Sequence, residues 1–245
     1  MSFKIIKLNA VDSTNSYLKE MAKNNSLKNF TTVVADQQLQ GRGQVDNRWI
    51  SDPFKNLTFS TFVSFKSLLC LHQKYLNFAV SVAIFTVLNE LKIPNLKIKW
   101  PNDIMSANQK LCGILTENII RGSYICASIV GIGLNVNQDQ FPDVLPKATS
   151  IKNSIGKELA LDFILEKLID GLQNSVQLLE ANCLNELEQL FLKNLYKKDV
   201  TAMFKDKQGI MFMGIIRDVS ASGKLLVEVE DETFREFGLK EIYFV

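Results

Sequence analysis

A chain of 245 residues with 47% hydrophobic and 22% charged side chains, 12 glycines and 5 prolines is composed like a folded protein, which excludes the disordered, collagen-like and low-complexity classes. The apolar stretch 75–89 is broken by Asn77, Ser81 and Thr86 and is too short to cross a bilayer, and Lys4 and Lys7 precede any run of signal-peptide length, so neither a membrane nor secretion is expected. The four cysteines are scattered with no CxxC and the chain has one histidine, which argues against a zinc site or a disulfide framework and for a reducing, cytoplasmic setting.

Net charge is only +2, but it is unevenly spread: residues 1–150 carry 16 basic and 10 acidic side chains, whereas 151–199 and 200–245 carry 6 and 8 each. The positive residues are dispersed, so the first part of the chain predicts an anionic small ligand, and no nucleic-acid stripe.

In chain order, Phe3 to Leu8 alternates as a strand, and Asp12-Ser13-Thr14-Asn15 offers helix-capping chemistry ahead of Tyr17, Leu18 and Met21, with Asn24 and Asn25 as the stop. Thr31 to Ala35 and Leu57 to Phe65 predict strands flanking a Gly, Gln and Arg loop. Leu71 to Leu91 has helical spacing and ends before Pro94, and Leu96 to Trp100 alternates as a strand that stops at Pro101. Leu111 to Ile120 and Tyr124 to Val136 predict a hairpin turning at Arg121-Gly122-Ser123. Apolar residues at three and four spacing over 158–196 predict two helices, broken near Asn182-Cys183, that pack on one sheet face. After Asp199 the pattern becomes purely β, with five short strands that predict a small barrel. The expected fold is therefore α+β: a mixed, largely antiparallel sheet with helices on it over residues 1–198, then a small β barrel over 199–245.

There is no GxxxxGK[ST] phosphate loop and no GxSxG elbow, and His72, at the start of an apolar helix, reads as structural or solvent-exposed. Four polar clusters remain, each at a strand end or turn. Ser13, Thr14 and Asn15 cap a helix. Gln38 to Gln44 combines two glycines with the five-donor fork of Arg42; its G-x-G lacks the third glycine and the following helix of a dinucleotide fingerprint. Lys99-Trp100-Pro101-Asn102-Asp103 ends a strand, and Lys110 opens the next with Gly113 three residues on. Gly131 and Gly133 alternate along a strand and leave a trough on one face. Cations (Arg42, Lys99, Lys110), amides (Gln38, Asn102, Asn135) and one carboxylate (Asp103) suit binding and polarising an anionic group by position and charge, which points to phosphoryl or nucleotidyl transfer with Asp103 as a magnesium ligand.

The series DSTN at 12–15, AxxQxxGRGQ at 35–44, KWPND at 99–103, KxxGIL at 110–115 and GIGLNVN at 131–137 resembles that of biotin protein ligases, and the terminal β segment is similar to the SH3-like barrel that ends them. The resemblance implies a class II synthetase-like fold and an enzyme that makes biotinyl-5′-adenylate from biotin, ATP and Mg2+, then transfers biotin to a lysine of a biotin carboxyl carrier protein. It implies that Ser13, Thr14, Asn15, Gln38, Gly41, Gly113 and Leu115 bind biotin. Arg42 and Lys110 would be catalytic, holding the biotin carboxylate and the α-phosphate. Gln44, Trp49, Lys99, Asn102, Asp103 and Asn135 would bind nucleotide, with Asp103 also on the metal.

Where many relatives continue GRGRxGR, this chain has Gln44 and Asp46, which weakens the expected closure of the loop over the adenylate; Arg48 is the residue placed to compensate. Only 11 residues precede Asp12, so no DNA-binding module and no operator binding are expected. A lipoate or octanoate protein ligase and a non-catalytic sensor of biotin adenylate are the competing readings. The carrier is expected to dock on an exposed sheet edge near the 111–136 hairpin, and the sequence leaves a homodimer open.

Overall fold

The computed structural model describes residues 3–24, 26–45, 47–145 and 147–245, with Asp231 by its backbone alone. The helix stop expected at Asn25 and the altered loop position Asp46 lie outside the described residues.

Seven strands form the main sheet: β1 (Ile5–Val11), β2 (Thr32–Gln38), β3 (Leu57–Leu69), β4 (Leu96–Lys99), β5 (Asp103–Ser106), β6 (Gln109–Arg121) and β7 (Tyr124–Leu134), in the spatial order β1-β2-β3-β7-β6-β5-β4. β1 and β2 run parallel, joined by α1 (Thr14–Asn24), and every other pairing is antiparallel, as the hydrophobic alternation and the hairpin signal predict. One strand escapes the sequence reading. The chain reverses at the cis Trp100–Pro101 peptide and returns as β5, where only a strand end was expected, because four residues are too few to show a period.

Alternation along the long strands sorts side chains to two faces. Val130, Ile132 and Leu134 of β7 join Phe59 and Val63 of β3 in a large core under α2 (Gln73–Glu90). Ala127 and Ile129 of β7 join Phe62, Val33 and Leu18 of α1 in a smaller core on the opposite face. α2 is apolar nearly all round and must be covered on its outer side as well. This corrects the expectation for the two later helices. α4 (Leu161–Glu180) and α5 (Leu184–Lys193) pack chiefly on α2, α4 reaching the sheet mainly at β3, and Phe191 of α5 stacks on Phe78 at 4.1 Å between ring centroids. A five-residue helix, α3 (Ile151–Ile155), capped by the Ser150 side chain accepting from the Asn153 amide at 3.0 Å, was too short to be read from the sequence.

The terminal β segment forms the second sheet: β8 (Thr201–Asp206), β9 (Met211–Val219), β10 (Leu225–Glu228), β11 (Phe234–Phe237) and β12 (Ile242–Phe244), antiparallel in the order β11-β10-β9-β8-β12. Its buried Phe204, Ile216, Val227 and Phe237 belong to the same apolar cluster as the main core. Trp100 helps join the two sheets: the indole is buried and donates its Nε1–H to the Gly223 carbonyl at 3.1 Å.

The expected docking edge near 111–136 needs correction too. β7 lies inside the sheet between β3 and β6, whereas β6 pairs with β5 only as far as Gly113, so among the described residues its distal half, 114–121, has a strand neighbour on one side only.

Candidate functional site

A cavity of about 360 Å³ opens on the α1 face where the glycines of β6 and β7 bare the sheet. Its walls are the start of α1, the loop after β2, the 100–103 turn and the last residues of the second sheet, Leu239, Lys240, Ile242, Tyr243 and Phe244.

At one end the polar groups are buried and wired together. Ser13, Thr14 and Asn15 are each about 3% exposed. Gln38 Oε1 accepts from the Thr14 amide at 2.8 Å and from its hydroxyl at 3.1 Å. The Ser60 hydroxyl sits 2.7 Å from Thr14 Oγ1 and 2.5 Å from Asn15 Oδ1. Asn15 Nδ2 donates to the Leu115 carbonyl and to Glu117 Oε2, at 3.2 and 3.0 Å. Ser13 also caps α1, its hydroxyl 3.5 Å from the Ser16 amide, so the capping and site readings hold together.

The trough is real and occupied. A Cβ at Gly131 would collide with Asn15 Oδ1, and one at Gly133 with the ring of Trp49, so only glycine lets these side chains lie flat on the sheet. The Trp49 indole also reaches Gly113 and stands 5.8 Å from Lys110 Nζ, and its own Nε1–H is buried with no hydrogen-bond partner. Trp49 lines the cavity, and a buried donor without a partner on a lining residue is a group that a ligand acceptor could satisfy.

At the other end charge accumulates. Lys110 Nζ lies 2.7 Å from Asp103 Oδ1, an ion contact without hydrogen-bond alignment, since that oxygen is otherwise buried and unpartnered. Burial holds the Lys99 ammonium below the usual lysine range; Asp103 works against this, while Lys110, Lys147 and Lys197 add to it. These four lysines gather with Asp103, and a second space of about 340 Å³ adjoins them, closed by Leu145, Tyr196 and Phe244. Cys112 behind this cluster is fully buried, and burial drives its thiol far above the ordinary range, so it is no nucleophile.

Of the residues singled out in the sequence, Ser13, Thr14, Asn15, Gln38, Arg42, Gln44, Trp49, Lys99, Asn102, Asp103, Lys110, Gly113 and Leu115 meet round this cavity. Two do not. Gly41 is spent on the loop: its carbonyl accepts from the Trp49 amide at 3.0 Å, and a Cβ there would strike the Trp49 carbonyl. Asn135 is not among the lining residues; it is buried, and its Nδ2 donates to the Thr149 carbonyl at 2.9 Å, bracing the backbone after β7. Asn102 lines the cavity, but its Nδ2 is engaged by the Ile114 carbonyl at 2.6 Å. The sequence reading missed Ser60, Glu117, Lys147, Lys197 and the 239–244 segment. Glu117 follows Gly113 and Leu115 at period two and was legible as a same-face residue; the terminal segment carried no such signal.

A family model described as biotin/lipoate A/B protein ligase matches residues 8–135, more than half of the chain. The chain belongs to this ligase family. It is 31% identical over 172 residues to the bifunctional ligase/repressor BirA of Bacillus subtilis, covering 69% of this chain and 52% of that protein, so it spans about half the length of that relative. With the biotin--[acetyl-CoA-carboxylase] ligase of Mycobacterium tuberculosis it shares 25% identity over 233 residues, 90% of this chain and 82% of that one. The biotin protein ligase of Aquifex aeolicus, solved in complex with biotin and ATP, superposes with a TM-score of 0.79 at 25% identity over 99% of this chain and 98% of the other. The Aquifex aeolicus ligase is thus similar to this chain over both of its sheets. No helix among the described residues is long and apolar enough to cross a membrane.

Proposed function

We propose that this chain is a biotin protein ligase, joining biotin and ATP into biotinyl-5′-adenylate with release of pyrophosphate and then passing biotin to a lysine of a biotin carboxyl carrier protein. The observation that carries the reading is the polarity of the one cavity: a buried neutral hydrogen-bonding end at Thr14, Asn15 and Gln38, suited to a ureido head, and a cationic end at Lys99 and Lys110, suited to a carboxylate and a phosphate.

In the first step a biotin carboxylate oxygen attacks the α-phosphorus and the bond to pyrophosphate breaks. Two anions must be pressed together, and Lys110 and Arg42 supply the charge that permits it. Neither has to act as acid or base, which agrees with a cavity wall lacking His and Cys. In the second step the carrier's lysine amine attacks the acyl carbon and AMP leaves. Among the described residues, Asp103 is the only carboxylate on the wall, and no group of three or more His, Cys, Asp or Glu could cage a metal. That set fits magnesium brought in on ATP phosphates, which needs one or two protein carboxylates and otherwise keeps water and phosphate oxygens. Bound there, the ion would neutralise charge on the triphosphate.

The 1–198 segment would be the catalytic unit, with 199–245 as an appended barrel that closes its cavity. The carrier would dock along residues 116–121 of β6, beyond the point where Asn102 occupies the backbone of Ile114 and with no second strand alongside among the described residues. The test is direct: incubate the chain with biotin, ATP, Mg2+ and a carrier domain and read the carrier's mass. Addition of one biotinyl group supports the proposal. Addition of a lipoyl or octanoyl group in its place, when those acids are offered, makes the chain a lipoate ligase, and no addition with any of them refutes ligation.

A further inference from the structure

Glu117 is not among the residues lining the cavity, yet the buried neutral end at Asn15 and the loop after β2 at Arg42 are both tied to it. It projects from the rigid strand β6 with its side chain only 17% exposed, and it accepts from Asn15 Nδ2 at 3.0 Å, Lys19 Nζ at 3.1 Å and the Arg42 guanidinium at 3.3 and 3.4 Å. Through Asn15 it joins the Ser60, Thr14 and Gln38 chain; through Arg42 it holds the loop after β2.

The two cations on it are not equivalent. Lys19 sits on α1, away from the cavity, at the closer distance. Arg42 lies on the cavity wall, is half exposed, and grips Glu117 at distances longer than the 2.7–2.9 Å of a tight charge-assisted pair. Arg42 can therefore leave without stranding a part-buried carboxylate, because Lys19 and Asn15 remain on it. Arg42 also does not travel alone. Its backbone is bridged to that of Arg48 in an antiparallel pairing, and the Trp49 amide is bonded to the Gly41 carbonyl, so the backbones that carry Arg42, Arg48 and Trp49 are paired with one another.

We propose that Glu117 is a positioning residue: a releasable counter-ion that parks Arg42 and its hairpin in the ligand-free protein and hands Arg42 to the anionic group of the ligand, with Lys19 as the cation that stays behind. The hand-over rests on the biotin reading above, whereas the parking does not. Burial pushes the Glu117 carboxyl up, but the bonds from Asn15 and Lys19 and the charge of Arg42 outweigh it and keep the group below the usual carboxylate range, so it is ionised and able to hold both cations at neutral pH.

The experiment uses the full chain as wild type, Glu117→Gln, Lys19→Met and the double variant. Without ligand, trypsin cleavage after Arg42 and Arg48 should be about threefold or more faster in Glu117→Gln than in wild type, the loop having lost its anchor. Calorimetric biotin binding should weaken about fivefold in Lys19→Met, where Arg42 becomes the sole cation on Glu117, and should return to near the wild-type value in the double variant, where nothing retains Arg42. A merely structural Glu117 gives additive losses and no rescue. Equal ligand-free cleavage of wild type and Glu117→Gln, or a double variant at least as weak as Lys19→Met, overturns the proposal. If the wild type binds no biotin, the ligase reading falls, and the ligand-free cleavage still decides whether Glu117 parks the hairpin.

Discussion

Replacing Lys110 by alanine removes the cation best placed between the two reacting acids. A carboxylate and a phosphate oxygen, each of unit charge and about 3.5 Å apart, repel by roughly 4.7 kcal/mol at an effective dielectric of about 20. The Lys110 side chain is 39% exposed, so solvent screens part of what it offsets; taking about half leaves roughly 2–3 kcal/mol. At 1.36 kcal/mol per decade, this slows adenylate formation by about 30- to 160-fold. The substitution also strips Asp103 Oδ1 of its partner at 2.7 Å, so some stability is lost and must be measured separately. Single-turnover formation of AMP anhydride from biotin and ATP isolates the chemical step, and thermal unfolding of the same sample shows whether the fold survives. Lys110→Arg, which keeps the charge on a bulkier fork, should retain more of the rate. A folded Lys110→Ala protein within threefold of the wild-type rate would refute the charge argument, because no other cation would then be needed between the acids.

Gly131→Ala pushes a methyl group into Asn15, whose side chain is held by Ser60, Leu115 and Glu117 and cannot easily yield; a loss of about 1–3 kcal/mol is expected, read as several degrees in the unfolding midpoint, and a shift under one degree contradicts it. Arg48→Ala should speed release of the activated adenylate and weaken biotin binding, since Arg48 lies on the cavity wall and its side chain supplies a cation there; unchanged values in both assays dismiss its compensating role. Because burial lowers the Lys99 pKa, nucleotide affinity should fall on the alkaline side before an ordinary lysine (about 10.4) would lose its proton, and Lys99→Arg should move that limb upward. The sign for stability is opposite: in that window the unfolded chain holds a proton that the folded one lacks, so Lys99 contributes stability as pH rises, which denaturant titration at two alkaline pH values can detect. Removing magnesium should abolish adenylate formation, and Asp103→Asn should raise the magnesium concentration needed by about tenfold; an unaltered requirement removes Asp103 from the metal.

Local pattern was enough to read most of the elements and one part of the site. Alternation over 111–120 and 124–136 identified the central hairpin, β-branched runs the remaining long strands, and three and four spacing the helices α2, α4 and α5, because each is a periodic arrangement of burial along a single segment. The motif residues at strand ends and turns were legible as ligand-binding for a related reason. Lysines, amides and bared glycines where a strand stops have little packing purpose, and 13 of the 15 residues singled out do meet round one cavity.

Tertiary structure decided what those residues do to one another. β5 and α3 are too short to show a period. Asn135, read as a nucleotide ligand, turned inward because a carbonyl 14 residues later in the chain needed a donor. The pairing of Arg42 with Glu117 spans 75 residues, and Tyr243 and Phe244 reach the cavity wall from a sheet that is joined to the first by, among other contacts, a Trp100 hydrogen bond across 123 residues. Chain periodicity reports which face of each element is buried, but the partner of that face is chosen by the packing of the whole core. The sequence by itself therefore determined the elements and the chemical inventory, and the three-dimensional fold alone decided which charges neutralise which and what seals them from water.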